Sequence, residues 1–286
     1  MPTVWANGLD IAYLVEGAGP PLVVLHGATS SAADDWGAQR PAMRRAFRLY
    51  LPDARSHAGT RWDAADGWTA ETLVDDLAAF VDTLELETFH LLGFSMGGHT
   101  ALRYATRHPE RLRTLLVMGI DVQRQPRMNV ARHLMDPERI DARDPAWAAA
   151  LERRHGPVQG VGAWRRLLPA IAADVATQPL ITPEDLRRVN MPALLVVGDR
   201  DVFVPTDHAV ALHRQLPDGR LCIVPDCDHQ VMASRPAIFN QVAETFYRTT
   251  EMEARARADG GAEPNRRGLP AGNRAPVPTS MGDHGI

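Results

Sequence analysis

The sequence predicts an α/β protein: a mostly parallel sheet of about eight strands with helices on both faces, an N-terminal antiparallel hairpin and a helical insertion. Three observations carry this. Continuous apolar runs at Pro21 to His26, Phe89 to Leu92 and Ala193 to Val197 read as strands buried on both faces. Segments with apolar residues at helical spacing separate such runs. One long stretch, 121–186, has no strand pattern at all.

The elements follow in order. Thr3 to Ala6 and Leu9 to Glu16 flank Asn7-Gly8, a two-residue hairpin signal. The turn-rich Gly17-Ala18-Gly19-Pro20 leads into the strand at Pro21, followed by helical pattern over Gly37 to Arg45 and a strand at Phe47 to Leu51. Thr69 opens an amphipathic helix carrying Thr72, Leu73, Leu77, Phe80, Val81 and Leu84 at helical spacing. A strand then runs into Ser95, a helix spans Gly97 to about Arg107 and stops at His108-Pro109, and a strand covers Thr114 to Gly119. Strand, helix, strand and helix recur at Ala193 to Val197, Thr206 to Gln215, Leu221 to Val224 and Pro236 to about Thr250.

Residues 1–120 and 187–250 therefore read as the core. The excursion 121–186, rich in Ala, Arg and Pro, offers helical pieces at Pro145 to Arg154 and Ala163 to Ala173. It leaves the sheet between two strands, and such excursions rise over the edge where parallel sheets bind ligands, so it reads as a cap. The tail 251–286 alternates arginine-rich with Gly/Pro-rich stretches and is expected to be disordered.

Composition narrows the function. The chain has 286 residues, 45% hydrophobic and 23% charged, which suits one large domain with an insertion. A net charge of −4 offers nothing to nucleic acid or an anionic membrane, and all 31 basic residues are arginine. Cys222 and Cys227 are too few for a zinc pattern or a disulfide framework. With no apolar run of membrane-spanning length and no basic-then-apolar leader, a cytoplasmic protein is expected. The oligomeric state stays open.

The most informative stretch is Gly93-Phe94-Ser95-Met96-Gly97-Gly98, directly after an apolar strand. In G-x-S-x-G a serine sits at the apex of a strained strand-to-helix turn, and small neighbours let the two backbones pass closely. The helix behind it points N–H groups to where negative charge would develop. A serine so placed needs a base, because its hydroxyl is a poor nucleophile at neutral pH.

From roughly Thr3 to Tyr247 the chain resembles the α/β-hydrolase family, in which the chain order is nucleophile, acid, histidine. Gly198-Asp199-Arg200-Asp201 looks like the family's acid loop, which selects Asp201 as acid and leaves Asp199 a turn or capping residue. Asp121, after the strand following Ser95, is the reserve acid, because some relatives carry it there. The histidine is His229, preceded by Asp228 where the family often has glycine, so a second carboxylate is expected near the imidazole. The resemblance further implies an oxyanion site made of the Met96 and Ala28 backbone N–H groups, the latter following the His26-Gly27 turn, with His26 anchoring that loop. Asp53-Ala54-Arg55-Ser56-His57-Ala58-Gly59 is similar to the family's Asp-x-Arg-Gly-x-Gly turn with Ser56 and Ala58 replacing glycines, so a different loop shape is expected.

The implied activity is a cofactor-free, metal-free serine hydrolase. It would cleave a carboxylic ester, thioester, lactone or carbon–carbon bond of a small apolar substrate through an acyl-enzyme. Trp36, Trp164, Phe203 and Met232 are the candidate pocket residues. A serine at the apex argues against the haloalkane dehalogenase and epoxide hydrolase relatives, which use aspartate there. An acyltransferase or cofactor-free perhydrolase on the same residues, and a non-catalytic ligand-binding protein on the same scaffold, are the alternatives.

Overall fold

Asn7 and Gly8 both take positive φ, 48° and 77°, the geometry that matches a two-residue turn to strand twist. They close β1 (Thr3–Ala6) on β2 (Leu9–Glu16), pairing Ala6 with Leu9. This computed structural model describes residues 1–63 and 67–258. The hairpin is the edge of an eight-stranded sheet completed by β3 (Pro21–Leu25), β4 (Arg48–Pro52), β5 (Phe89–Phe94), β6 (Leu112–Met118), β7 (Ala193–Gly198) and β8 (Gly219–Val224). The spatial order is β1-β2-β4-β3-β5-β6-β7-β8. Strand β2 runs antiparallel to β1 and β4, and every other pairing is parallel.

The helices longer than one turn are α1 (Ala70–Thr83), α2 (Met96–Arg107), α3 (Arg127–Leu134), α4 (Pro137–Arg143), α5 (Pro145–Gln159), α6 (Trp164–Thr177), α7 (Thr206–His213) and α8 (Pro236–Ala258). Helix α1 starts at Thr69 because its hydroxyl accepts from the Thr72 amide while the Thr72 hydroxyl accepts from the Thr69 amide.

Every residue of β5 and β7 is buried, because both sheet faces are covered. One face packs Val23, Leu91, Leu115 and Leu195 against Val74, Phe80, Ala101 and Tyr104 of α1 and α2. The other packs Leu22, Leu92, Leu116 and Val196 against Phe239, Phe246 and Tyr247 of α8. Leu91 and Leu92 thus point to opposite cores, as strand alternation requires. Burying each such side chain stabilises the fold by about 2 kcal/mol.

Helices α3 to α6 form the insertion between β6 and β7, which belongs to the same compact unit, Met1–Arg248, as the sheet. Two of them run further than their sequence suggests: α5 passes through Pro157 to Gln159, and α6 holds Pro169 inside it. Thr249–Ile286 form a separate unit. Helix α8 continues to Ala258, so the tail expected to be disordered from 251 is helical over its first eight residues. An i,i+4 pair between Glu251 and Arg255 lies in this stretch. The rest of that expectation, 259–286, lies outside the described residues.

Because β3 and β5 to β8 are parallel, their C-terminal ends share one edge of the sheet. Ser95 follows β5, Asp121 lies just past β6, Asp201 follows β7 and His229 follows β8. The His26-Gly27 turn follows β3 at that same edge. Topology alone therefore gathers residues spread over two hundred positions.

Candidate active site

Ser95 has φ 50° and ψ −114°, a backbone conformation rarely adopted by a residue with a side chain. The turn is held by Ser95 N donating to Met118 O (2.9 Å), Gly97 N to His26 O (3.1 Å) and His99 N to Ser95 O (2.8 Å). Its glycines are required by space. A Cβ on Gly93 would lie 2.3 Å from Gly97 O, and one on Gly97 would lie 2.5 Å from His26 O.

The Ser95 hydroxyl is 2.9 Å from His229 Nε2, and His229 Nδ1 is 2.8 Å from Asp201 Oδ2. Asp201 Oδ1 accepts from Phe203 N (2.8 Å) and Val204 N (3.1 Å), so its carboxylate is fixed from behind. The imidazole sits between the rings of Phe203 and Phe94, at centroid distances of 4.4 and 5.0 Å. Asp121 is engaged elsewhere, accepting from His208 Nδ1 (2.6 Å) and Gln123 N (2.8 Å). Asp199 accepts from Cys227 N (3.0 Å), tying the two loops together. The Asp228 carboxylate, expected beside the imidazole, turns instead to Gln230 N (3.0 Å) and Ser234 Oγ (2.8 Å).

Met96 and Ala28 line the same cavity as Ser95, and their backbone N–H groups have no acceptor among the described residues. The Ala28 loop is fixed from several sides. Its His26 accepts from Ala54 N through Nε2 (2.9 Å) and donates to Gly27 O through Nδ1 (2.7 Å). Gly27 N donates to Asp35 (2.8 Å), and Arg154 of the insertion donates to Thr29 O (2.5 Å). The neighbouring Asp53 turn keeps positive φ at Ser56 (66°) and Ala58 (39°) even without glycine, and Asp53 accepts from Ala32 N (2.9 Å) and Gly59 N (3.1 Å). The substitutions therefore leave side chains in left-handed conformations.

Ser95, Met96, Ala28, Phe203 and His229 line one cavity of about 550 Å³, roofed by Ala131, Met135, Ile171 and Val175 of the insertion. A second cavity of about 440 Å³ shares Met96, Leu73 and Thr100 with the first and abuts the buried Arg55–Asp76 ion pair, without Ser95 in its wall. The other three residues expected around substrate lie elsewhere. Trp36 is fully buried against Phe239, 6.0 Å between rings, on the sheet face covered by α8. Met232 is buried in that same core. Trp164 packs inside the insertion with Ile140, Leu151 and Leu168, its indole N–H donating to Glu152 (3.1 Å). In each case the large apolar side chain found a closed core rather than an open wall.

Sequence reasoning missed His99 and Arg127, which also line the Ser95 cavity. His99 was legible in principle, since it stands one helical turn after Ser95. Among the described residues, no group of His, Cys, Asp and Glu is placed to hold a metal ion, and no helix is long and apolar enough to cross a membrane.

Four imidazoles are held neutral, chiefly by burial: His57 and His99 well below the ordinary value, His90 and His155 at about 4. His155 shows the consequence, with Nδ1 accepting from Ala58 N (3.1 Å) and Nε2 facing Thr29 O (3.3 Å). Unfolded histidines titrate near about 6.5, so the unfolded chain takes up protons first as pH falls. Stability present at neutral pH is then lost between about pH 6.5 and 4, by about 1.4 kcal/mol per pH unit for each such histidine. The urea midpoint should fall markedly from pH 7 to pH 5, and less for His155→Gln. Identical midpoints at the two pH values would show that these imidazoles are not kept neutral.

A serine at the apex of a strand-to-helix turn, with an imidazole and a carboxylate on later strand ends, defines the nucleophile-elbow class of α/β folds. The chain belongs to the alpha/beta hydrolase family, whose sequence model matches residues 22–242. It is 25% identical over 261 residues to the 2-hydroxy-6-oxo-2,4-heptadienoate hydrolase of Pseudomonas putida, covering 85% of this chain and 94% of that one. It is 26% identical over 249 residues to the pimeloyl-[acyl-carrier protein] methyl ester esterase of Aeromonas hydrophila, covering 80% and 96%. Among solved structures, the enol-lactonase of Burkholderia xenovorans LB400 superposes with a TM-score of 0.69 at 20% identity, covering 86% of this chain and 99% of that one.

Proposed function

We propose that this chain is a serine hydrolase that cleaves a small carboxylic ester, thioester, lactone or activated carbon–carbon bond through an acyl-enzyme on Ser95. The observation that carries this reading is the unbroken hydrogen-bonded line Ser95 Oγ–His229 Nε2–His229 Nδ1–Asp201 Oδ2, opening on a cavity beside two free backbone donors. The family membership and the hydrolase activities of the relatives support it.

The chemistry for an ester follows from the geometry. Ser95 Oγ attacks the carbonyl carbon while its proton passes to His229 Nε2. The carbonyl oxygen becomes an oxyanion facing the Met96 and Ala28 amides, each such donor lowering the barrier by about 3 kcal/mol. The imidazolium, stabilised by Asp201, gives its proton to the leaving oxygen and the alcohol departs. Water then loses a proton to His229 and attacks the acyl carbon. The returning proton restores the Ser95 hydroxyl as the acid leaves. The insertion's apolar roof limits solvent and shapes the acyl site.

A fluorophosphonate probe tests the reading directly. The wild-type protein should gain one adduct, located at Ser95 by peptide mass spectrometry. Absence of labelling, combined with a rise in Tm on adding a small ligand, would make the protein a binding module instead.

A further inference from the structure

Arg127, at the start of α3, lines the Ser95 cavity with only 7% of its surface exposed. Its Nε is buried with no partner, and among the described residues the guanidinium makes no hydrogen bond or ion pair. The other buried arginines differ. Arg55 is held by both oxygens of Asp76, at 2.6 Å each, and Arg103 pairs with Glu71 (3.1 Å) and Gln178 (3.0 Å).

The carboxylates whose charges reach Arg127 are Asp121 and Asp174. Asp121 is committed to His208 and Gln123, and Asp174 accepts from Ala70 N (3.0 Å). Burial pushes the Asp174 carboxyl above its ordinary value, against the pull of the Ala70 amide and the Arg103 and Arg127 charges. Arg127 itself is lowered by burial to about 10, so it still carries its charge at neutral pH.

A buried cation with no hydrogen-bonded partner is costly, and one that lines a cavity beside a nucleophile marks a place where a ligand can supply the missing acceptor. Beside it His99 has its Nε2 buried without a partner, and the rest of the insertion wall pairs the apolar Ala131, Met135, Ile171 and Val175 with Asp174 and Gln178, which are held by Ala70 N and Arg103. Arg127 and Ser95 line the same cavity, so a group held by Arg127 and an acyl carbon on Ser95 would belong to one substrate.

We propose that Arg127, with His99 as a neutral polar contact, is a carboxylate-binding subsite, and that the substrate class is small acids carrying a carboxylate in addition to the scissile acyl group. The guanidinium offers the planar paired donors that a carboxylate matches. Its catalytic arm rests on the serine-hydrolase reading; its binding arm does not.

The test compares p-nitrophenyl hydrogen adipate with its chain-matched neutral methyl ester. Wild type should favour the hemiester in kcat/KM by about tenfold or more. Arg127→Met should abolish or reverse that ratio, and Arg127→Lys should restore part of it. In parallel, adipate should raise the Tm of Ser95→Ala, and adding Arg127→Met should remove the rise. Wild type preferring the neutral ester, or an unaltered ratio in Arg127→Met, overturns the subsite even if either variant folds poorly. Fluorophosphonate labelling without any adipate-induced rise in Tm also sinks the subsite and leaves the hydrolase reading standing. No labelling, with an Arg127-dependent rise in Tm, sinks the hydrolase reading and leaves the subsite.

Discussion

Replacing Ser95 by alanine is expected to lower kcat for a p-nitrophenyl ester by about a million-fold, because the nucleophile and its base act as one unit. The residual rate reflects substrate binding and the two amide donors. Stability should barely change, with Tm moving by less than about 3 °C. The hydroxyl is half-exposed and its bond to His229 is readily replaced by water. The backbone makes the case sharper. Position 95 holds φ 50° and ψ −114° whatever side chain it carries, because Met118, His26 and neighbouring turns fix it. Ser95→Gly should therefore be equally inactive yet more stable than Ser95→Ala, by about 1 kcal/mol of relieved strain net of chain entropy. Steady-state kinetics and urea unfolding on the three proteins decide it. An active Ser95→Ala would remove the nucleophile from the mechanism. A Ser95→Gly that is less stable than Ser95→Ala would mean that the turn is unstrained.

The parts legible in the sequence are those set by local spacing. Asn7-Gly8 dictates a turn within four residues, and Gly93 and Gly97 are forced by backbones that approach within the same motif. Parallel strands then do the long-range work: once Gly93 to Gly98, Gly198 to Asp201 and Asp228-His229 are recognised as strand ends, one sheet edge collects them. What spacing cannot reveal is which side of a helix meets which layer. Trp36 and Trp164 carry the composition of a substrate wall, yet one turns to the α8 core and the other closes on its own insertion. Arg127 was hidden differently. It is one of 31 arginines, and only its lack of a partner distinguishes it, a property of three-dimensional neighbours alone. Asp228 shows a third limit, since a carboxylate next to a histidine in sequence prefers the nearby amide of Gln230.

Asp201→Asn should cost about ten-thousand-fold in kcat while leaving the geometry intact. The hydrogen bonds determine the sign. Phe203 N and Val204 N both donate to Oδ1, so the asparagine carbonyl oxygen stays there and its NH2 occupies the position of Oδ2. That NH2 is a donor aimed at His229 Nδ1, 2.8 Å away in the wild type, and the imidazole must switch tautomer to accept. Its proton then sits on Nε2, facing the Ser95 hydroxyl it ought to deprotonate. Asp121→Asn makes the opposite prediction: its partners are His208 and Gln123, so turnover should stay within about tenfold of wild type. Equal loss in both variants would mean that the two carboxylates act through a shared network, and near-normal turnover by Asp201→Asn with an inactive Asp121→Asn would transfer the acid role to the end of β6. The double donation to Oδ1 makes the first outcome specific, because a carboxylate acting through charge alone would lose far less on becoming an amide than one that also dictates where the imidazole keeps its proton.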